Sequence, residues 1–392
     1  MERSFHYYGT YSAALIAGYT HEESLGLCHS AFLVDKCSKT FLERIGGPIS
    51  AATTQLPVEM ASARTDPVGR ADITRIWSSF HFLPYDLYAD VDKGGQSYRD
   101  KFRMICGPNG SLVADTVALA QGKDVQAVGL AMHVLADTWA HRYFAGTPSL
   151  VINNTNRFFV ELVPDGEGGY VERPVKFIHN PAQPDDFDQG VYTNTVYQPS
   201  EHTIMNLGHG RCGHLPDYSF IRYRYVPAWN DYEEVLKDNP AEYYQAFTQM
   251  VYAMRCLRGV DGPFQTDTYA TDVVAPYEQT IRGILEKRQP AEGAIEDWRA
   301  FGQGLSGETL PDFDLDAHVQ EYVDAPPDGK DATYLGKFIL AALAHKGMVV
   351  NRVWTSGNPL AGRSIDYKTN GFEGIRDFLP LIGYLRRGGG RD

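Results

Sequence analysis

Residues 127–144 read AVGLAMHVLADTWAHRYF, an apolar run of helical length in which His133, Asp137 and His141 recur every fourth position. A helix turns about 100° per residue, so three such positions lie along one slowly drifting stripe. Val, Leu, Ala, Met and Trp occupy the rest, which predicts a buried element. A carboxylate buried without a partner is costly, so Asp137 needs a strong one. A metal ion held between imidazoles is the economical choice. The competing reading is a solvent-facing stripe on an amphipathic helix.

Other histidines and aspartates fit the metal reading. Nine of the twelve histidines fall before residue 210. His6 precedes YYGTYSAAL, Asp35 closes the apolar run SAFLV, and His81 sits in SSFHFLPYD. The stretch GHGRCGHLPD adds His209, His214 and Asp217, and its Gly and Pro mark a loop, where site residues are common. Imidazole nitrogens and carboxylate oxygens are the donors that zinc prefers. Rival chemistries lack their motifs: the chain has no GxSxG, no GxxxxGK[ST], no HExxH and no HD dipeptide. Cys212 between His209 and His214 leaves a Cys/His nucleophile as a minor alternative.

With 36 basic against 49 acidic residues the formal charge is −13. That balance argues against broad electrostatic binding to nucleic acid or an anionic membrane. The five cysteines form no CxxC pair, so neither a disulfide framework nor a zinc ribbon is expected. MERSFHYYGTYSAALIAGY lacks a basic region followed by a long apolar run, and FILAALAHKGMVV is too short to span a bilayer. These features predict a cytoplasmic protein without a transmembrane segment. Non-classical export would leave no sequence trace.

The helical period dominates residues 1–145, then gives way to β-branched and aromatic runs around PDGEGG within 146–228, and returns over 229–392. In the first part, Thr20 and Glu23 form a capping box opening a helix through residue 45. The stretch RIWSSFHFLPYDLY is expected to be extended or irregular because Pro84 disfavours helix at Leu83. In the middle part LVINNTNRFFVELV and GYVERPVKFIH read as two strands, and the tail FEGIRDFLPLIGYLRR reads as a helix. The expected fold is mainly α, a multi-helix body with a small β-containing insertion, the three stretches together forming one compact domain.

The order His6, Asp35, His81, then the HxxxD pair His133/Asp137, resembles that of the zinc-dependent phospholipase C and single-strand-specific nuclease superfamily. The resemblance covers about residues 1–217. Its members are helical proteins with a trinuclear zinc cluster, and their mature chains begin at a Trp whose amine binds zinc. Carried over, the resemblance implies that His6 binds one ion of a bridged pair. Asp35, His81 and His133 would hold its partner, with Asp137 as the bridge. His141, one of His209 and His214, and Asp217 would bind the remaining ion. Here the chain starts MERSFH, His141 follows Asp137 by four, and the late pair HLPD is spaced by three.

The function expected is therefore hydrolysis, most readily of a small phosphoester, by a centre of two or three zinc or other divalent ions. Asp137 would orient the cluster and Asp35 accept a proton from water. Arg142, and Arg222 with Arg224 on one face of an RYRY strand, are candidate clamps for substrate oxygens. An amide or lactone is an alternative substrate. A non-enzymatic protein in which zinc staples the helices is another reading.

Overall fold

The computed structural model describes residues 1–63, 67–92, 94–153, 158–178, 183–194 and 209–362, so the helix expected over 372–387 lies outside the described residues. The chain opens with a π-helical turn, Ser4–Gly9, that runs directly into α1 (Thr10–Ile16). Then follow α2 (His21–Leu33), α3 (Lys39–Arg44), α4 (Pro57–Ala63), α5 (Pro67–Phe80), α6 (Gln96–Phe102), α7 (Ser111–Ala120), α8 (Val125–Ala140) and α9 (Leu150–Asn153). The middle of the chain holds β1 (Val160–Pro164), β2 (Tyr170–Pro174), β3 (Lys176–Ile178), β4 (Val191–Thr193), α10 (His209–Cys212), β5 (Arg222–Tyr225) and β6 (Val235–Asp238). The remaining helices are α11 (Asn239–Leu257), α12 (Thr271–Val274), α13 (Glu278–Glu286), α14 (Ala291–Ser306), α15 (Asp316–Asp324) and α16 (Tyr334–Thr355). The protein is mainly helical with a small antiparallel sheet, ordered β2-β1-β5-β6, and a separate parallel pair, β3 and β4.

α8 is the axis of the body. Every residue from Val128 to Ala140 is buried, and the helix packs against α2, α7, α11 and α16. Its closest neighbour is α2, and Gly129 is what lets them touch. A Cβ there would stand 2.2 Å from the carbonyl oxygen of Leu27. The Ser30 hydroxyl adds a hydrogen bond of 2.6 Å to the Gln126 carbonyl. This crossing brings the chain leaving α2 to the same level as His133. The apolar core drawn around α8 includes residues from Met1 to Ala361. A second, aromatic core joins Phe82 and Phe144 to the sheet residues Tyr223 and Tyr225.

Three local expectations change. α2 opens with the Thr20/Glu23 capping box but ends at Leu33, and Ser38 caps a separate α3 by accepting from the Phe41 amide, so Asp35 lies on the turn between helices. Residues 75–80 are helical, the last turns of α5, because Pro84 constrains only Leu83 and leaves the upstream turns free. Ile73, Ile76 and Phe80 are buried at helical spacing, and the helix ends immediately before His81. Within the first expected strand, Leu150–Asn153 forms a helical turn, closed by Asn153 donating to the Thr147 carbonyl at 2.7 Å, and β1 starts only at Val160.

Candidate metal centre

Four parts of the chain converge on one face of α8. The stripe itself offers His133 and Asp137, and His141 caps the helix end. The N-terminal π-turn presents His6, whose ring stacks on that of His133 with centroids 3.8 Å apart. π-Helical turns of this kind recur at functional sites. Asp35 comes from the turn after α2 and His81 from the end of α5. His209 and Asp217 come from α10 and the turn behind it.

These side chains form three sets whose donor atoms lie within 4.8 Å of one another: His6, His133 and Asp137; Asp35, His81 and His133; and His141, His209 and Asp217. Asp137 stands at the junction. Its Oδ1 is 3.0 Å from His6 Nε2, and its Oδ2 is 3.1 Å from His81 Nδ1 and 3.2 Å from His133 Nε2. Asp35 Oδ1 lies 3.9 Å from both His81 Nδ1 and His133 Nε2. In the third set, Asp217 Oδ1 is 3.3 Å from His141 Nε2, and Oδ2 is 3.3 Å from His209 Nε2.

Backbone carbonyls fix two of the imidazoles. His81 Nε2 donates to the Thr53 carbonyl at 3.1 Å and His141 Nδ1 to the His81 carbonyl at 2.8 Å. A carbonyl can only accept, so the proton sits on those nitrogens and the other nitrogen turns its lone pair inward.

The amine of Met1 belongs to the same constellation. It is 2.9 Å from Asp137 Oδ1, 3.3 Å from Asp217 Oδ1 and 3.4 Å from His141 Nε2, with no exposed surface. Burial works against its charge, but Asp137, Asp217 and Asp35 outweigh that and push it up to about 11. Burial likewise opposes the charge of Asp137, and the surrounding His141, Met1 amine, His133 and His6 hold the carboxyl well below the usual range. Asp217 is held low against its burial by His209 and the Met1 amine. Burial lowers His6 and His141 to about 4, so both are neutral donors at physiological pH.

The donor set suits divalent cations. Among the described residues three carboxylates, two of them largely buried, face the one ammonium of Met1, and the neutral imidazoles of His6 and His141 offer lone pairs. A hard-to-borderline ion with mixed nitrogen and oxygen ligation fits that chemistry.

Of the sequence candidates, His6, Asp35, His81, His133, Asp137, His141, His209 and Asp217 come together here. His214 lies on the outer side of Asp217, 3.4 Å from Oδ2 with its side chain 58% exposed, so its geometry favours His209 as the donor facing inward. Arg142 stands 3.8 Å from Glu242 and over the Tyr143 ring. On β5, Tyr223 and Tyr225 are buried while Arg222 pairs with Asp238 and Glu286, and Arg224 with Glu172 and Glu234. Among the described residues, the polar contacts of the His/Asp cluster include none from these three arginines. The Met1 amine was the participant that side-chain patterns could not reveal. Its signal was the short spacing to His6.

No curated protein and no solved structure matches the chain. One family does, across residues 1–353: the chain belongs to DUF6765, a family of unknown function.

Proposed function

We propose that the protein is a metal-dependent hydrolase whose His/Asp cluster holds three divalent ions, zinc the best suited, and that it cleaves a small phosphoester. The observation that carries this reading is Asp137, a buried carboxylate whose Oδ1 faces His6 and whose Oδ2 faces His81 and His133, so that it reaches donors of two neighbouring sets. A structural zinc staple needs four ligands and closes around one ion. Eight side chains in three sets exceed that need and suit an open, multi-ion site. The order and grouping of the ligands also support a relationship to the zinc-dependent phospholipase C and nuclease superfamily, in which an amine at the chain start is a ligand.

In this reading His6, Asp137 and the Met1 amine hold one ion. Asp35, His81, His133 and Asp137 hold the second, and His141, His209 and Asp217 the third. Bound there, divalent ions supply Lewis acidity that makes water a nucleophile near neutral pH and offsets charge gathering on phosphoryl oxygens. The protein's own contribution is positional. Thr53 and His81 carbonyls orient two imidazoles, and burial keeps His6 and His141 unprotonated. Asp35 is the most exposed carboxylate of the cluster, its side chain 28% open, and is placed to take a proton from an entering water.

The test is elemental analysis of the purified protein followed by a substrate panel with zinc or manganese supplied. Bound metal, and cleavage of p-nitrophenyl phosphodiesters or short phospholipid head-group esters in preference to single-stranded DNA, is expected. A net charge of −13 disfavours long polyanions. Absence of any bound or recoverable metal would refute the reading, and cleavage confined to amides or lactones would keep the centre and replace the substrate class.

A further inference from the structure

We infer that Thr53 is a positioning residue that holds two ligands of one ion in register, an inference that rests on the metal-centre reading above. Thr53 is fully buried and makes polar contacts in three directions. Its carbonyl accepts from His81 Nε2 at 3.1 Å, which sets the tautomer of that ring and aims Nδ1 at the cluster. Its amide donates to the Cys37 carbonyl at 2.9 Å. Its hydroxyl donates to the Val34 carbonyl at 2.6 Å, with the Cys37 carbonyl 3.4 Å away. Val34 and Cys37 bracket Asp35.

One residue thus ties the turn that carries Asp35 to the ring that carries His81. Those two side chains arise from different elements, 46 positions apart in sequence. Asp35 lies on a turn with no helical register of its own, so its position depends on such anchors. The peptide unit before Thr53 is clamped as well: the Lys346 ammonium, on α16, donates to the Ala52 carbonyl at 2.9 Å. Lys346 thus holds the carbonyl that immediately precedes Thr53. Outer partners of this kind hold metal ligands in place, and losing one typically costs 10–100-fold in affinity, an order-of-magnitude figure.

The hydroxyl separates this role from simple packing. Thr53→Val keeps the shape and removes the donor, whereas Thr53→Ser keeps the donor and removes a methyl group. Full-length wild type, Thr53→Val, Thr53→Ser and Lys346→Met are stripped and reloaded with cobalt(II), then titrated with a competing chelator while the visible ligand-field bands are followed. Wild type is expected to load three ions. Thr53→Val should release one of them about 10–100-fold more readily, with altered bands, while the other two hold. Thr53→Ser should restore wild-type release, and Lys346→Met should weaken the same ion. If Thr53→Val does not fold, Lys346→Met carries the test. Wild-type protein that binds no cobalt overturns the metal-centre reading itself. Wild-type protein that loads normally beside variants with unchanged affinities and bands leaves the centre standing and overturns the role of Thr53.

Discussion

Replacing Asp137 by Ala removes a carboxylate that five groups of the cluster face, and its effect can be worked from the geometry. Five groups lie within 3.5 Å of its carboxylate: the Met1 amine at 2.9 Å, His6 at 3.0 Å, His81 at 3.1 Å, His133 at 3.2 Å and His141 at 3.5 Å. In metal-free protein the amine keeps a second carboxylate, Asp217, at 3.3 Å. Breaking a buried pair costs about 3–5 kcal/mol, and the remaining partner places the expected loss near the lower end, about 3 kcal/mol. With metal the consequence is selective. In the proposed assignment two of the three ions draw on Asp137, and the third, held by His141, His209 and Asp217, does not. Losing an outer partner already weakens a site by about 10–100-fold, so losing a shared ligand should exceed 100-fold, or about 2.7 kcal/mol per ion. Bound metal should therefore fall from three equivalents to one, and hydrolysis should vanish. Emission spectroscopy after gel filtration in a micromolar chelator counts the ions, and urea unfolding in EDTA reads the stability of the stripped protein. A variant that keeps all three equivalents would show that Asp137 does not bridge.

Stability of the stripped protein should be greatest between about pH 6.5 and 8. His6 and His141, lowered to about 4, contribute stability that is complete above their unfolded value of about 6.5 and is lost as pH falls, up to about 3 kcal/mol each. The Met1 amine, raised to about 11, contributes stability that is complete below pH 8 and is lost as pH rises toward 11. A flat urea midpoint from pH 4.5 to 9.5 in EDTA would contradict both assignments. Because that amine is protonated at pH 7.5, metal uptake should expel at least one proton, seen as a difference in binding heat between buffers of unlike ionisation enthalpy. His209→Ala should lose the third ion while His214→Ala keeps it, and equal metal content in the two variants would remove His209 from the ligand set.

The helical character and the α8 stripe were legible because burial and periodicity act on neighbours in sequence, where spacing is visible. His133 and Asp137 could be found that way. Asp35 was picked out by its place after an apolar run, but its conformation was misjudged, since nothing local distinguishes a continuing helix from one that stops at Leu33 and restarts behind Ser38. The choice between His209 and His214 depends on which side of Asp217 faces inward, and a loop carries no period to decide that. The part of Thr53 that faces His81 is its carbonyl, and the Met1 contribution is its amine, so neither shows in a pattern of side chains. The misreading of α5 had the opposite origin: one proline was given influence over turns beyond its reach.

The contributors to the centre run from the Met1 amine to Asp217, and that spread has a consequence for how the protein is made. Chains emerge from the ribosome at about 5–20 residues per second, so Asp217 follows residue 1 by roughly ten to forty seconds. Through that interval His6, Asp35, His81 and the α8 stripe exist without the final set of donors. In the proposed assignment the side chains of the paired ions all lie within the first 137 positions, whereas the third set is complete only with Asp217. The helix that carries the stripe also packs against α11 and α16, so the early donors gain their full framework only when the chain has been made as far as residue 355.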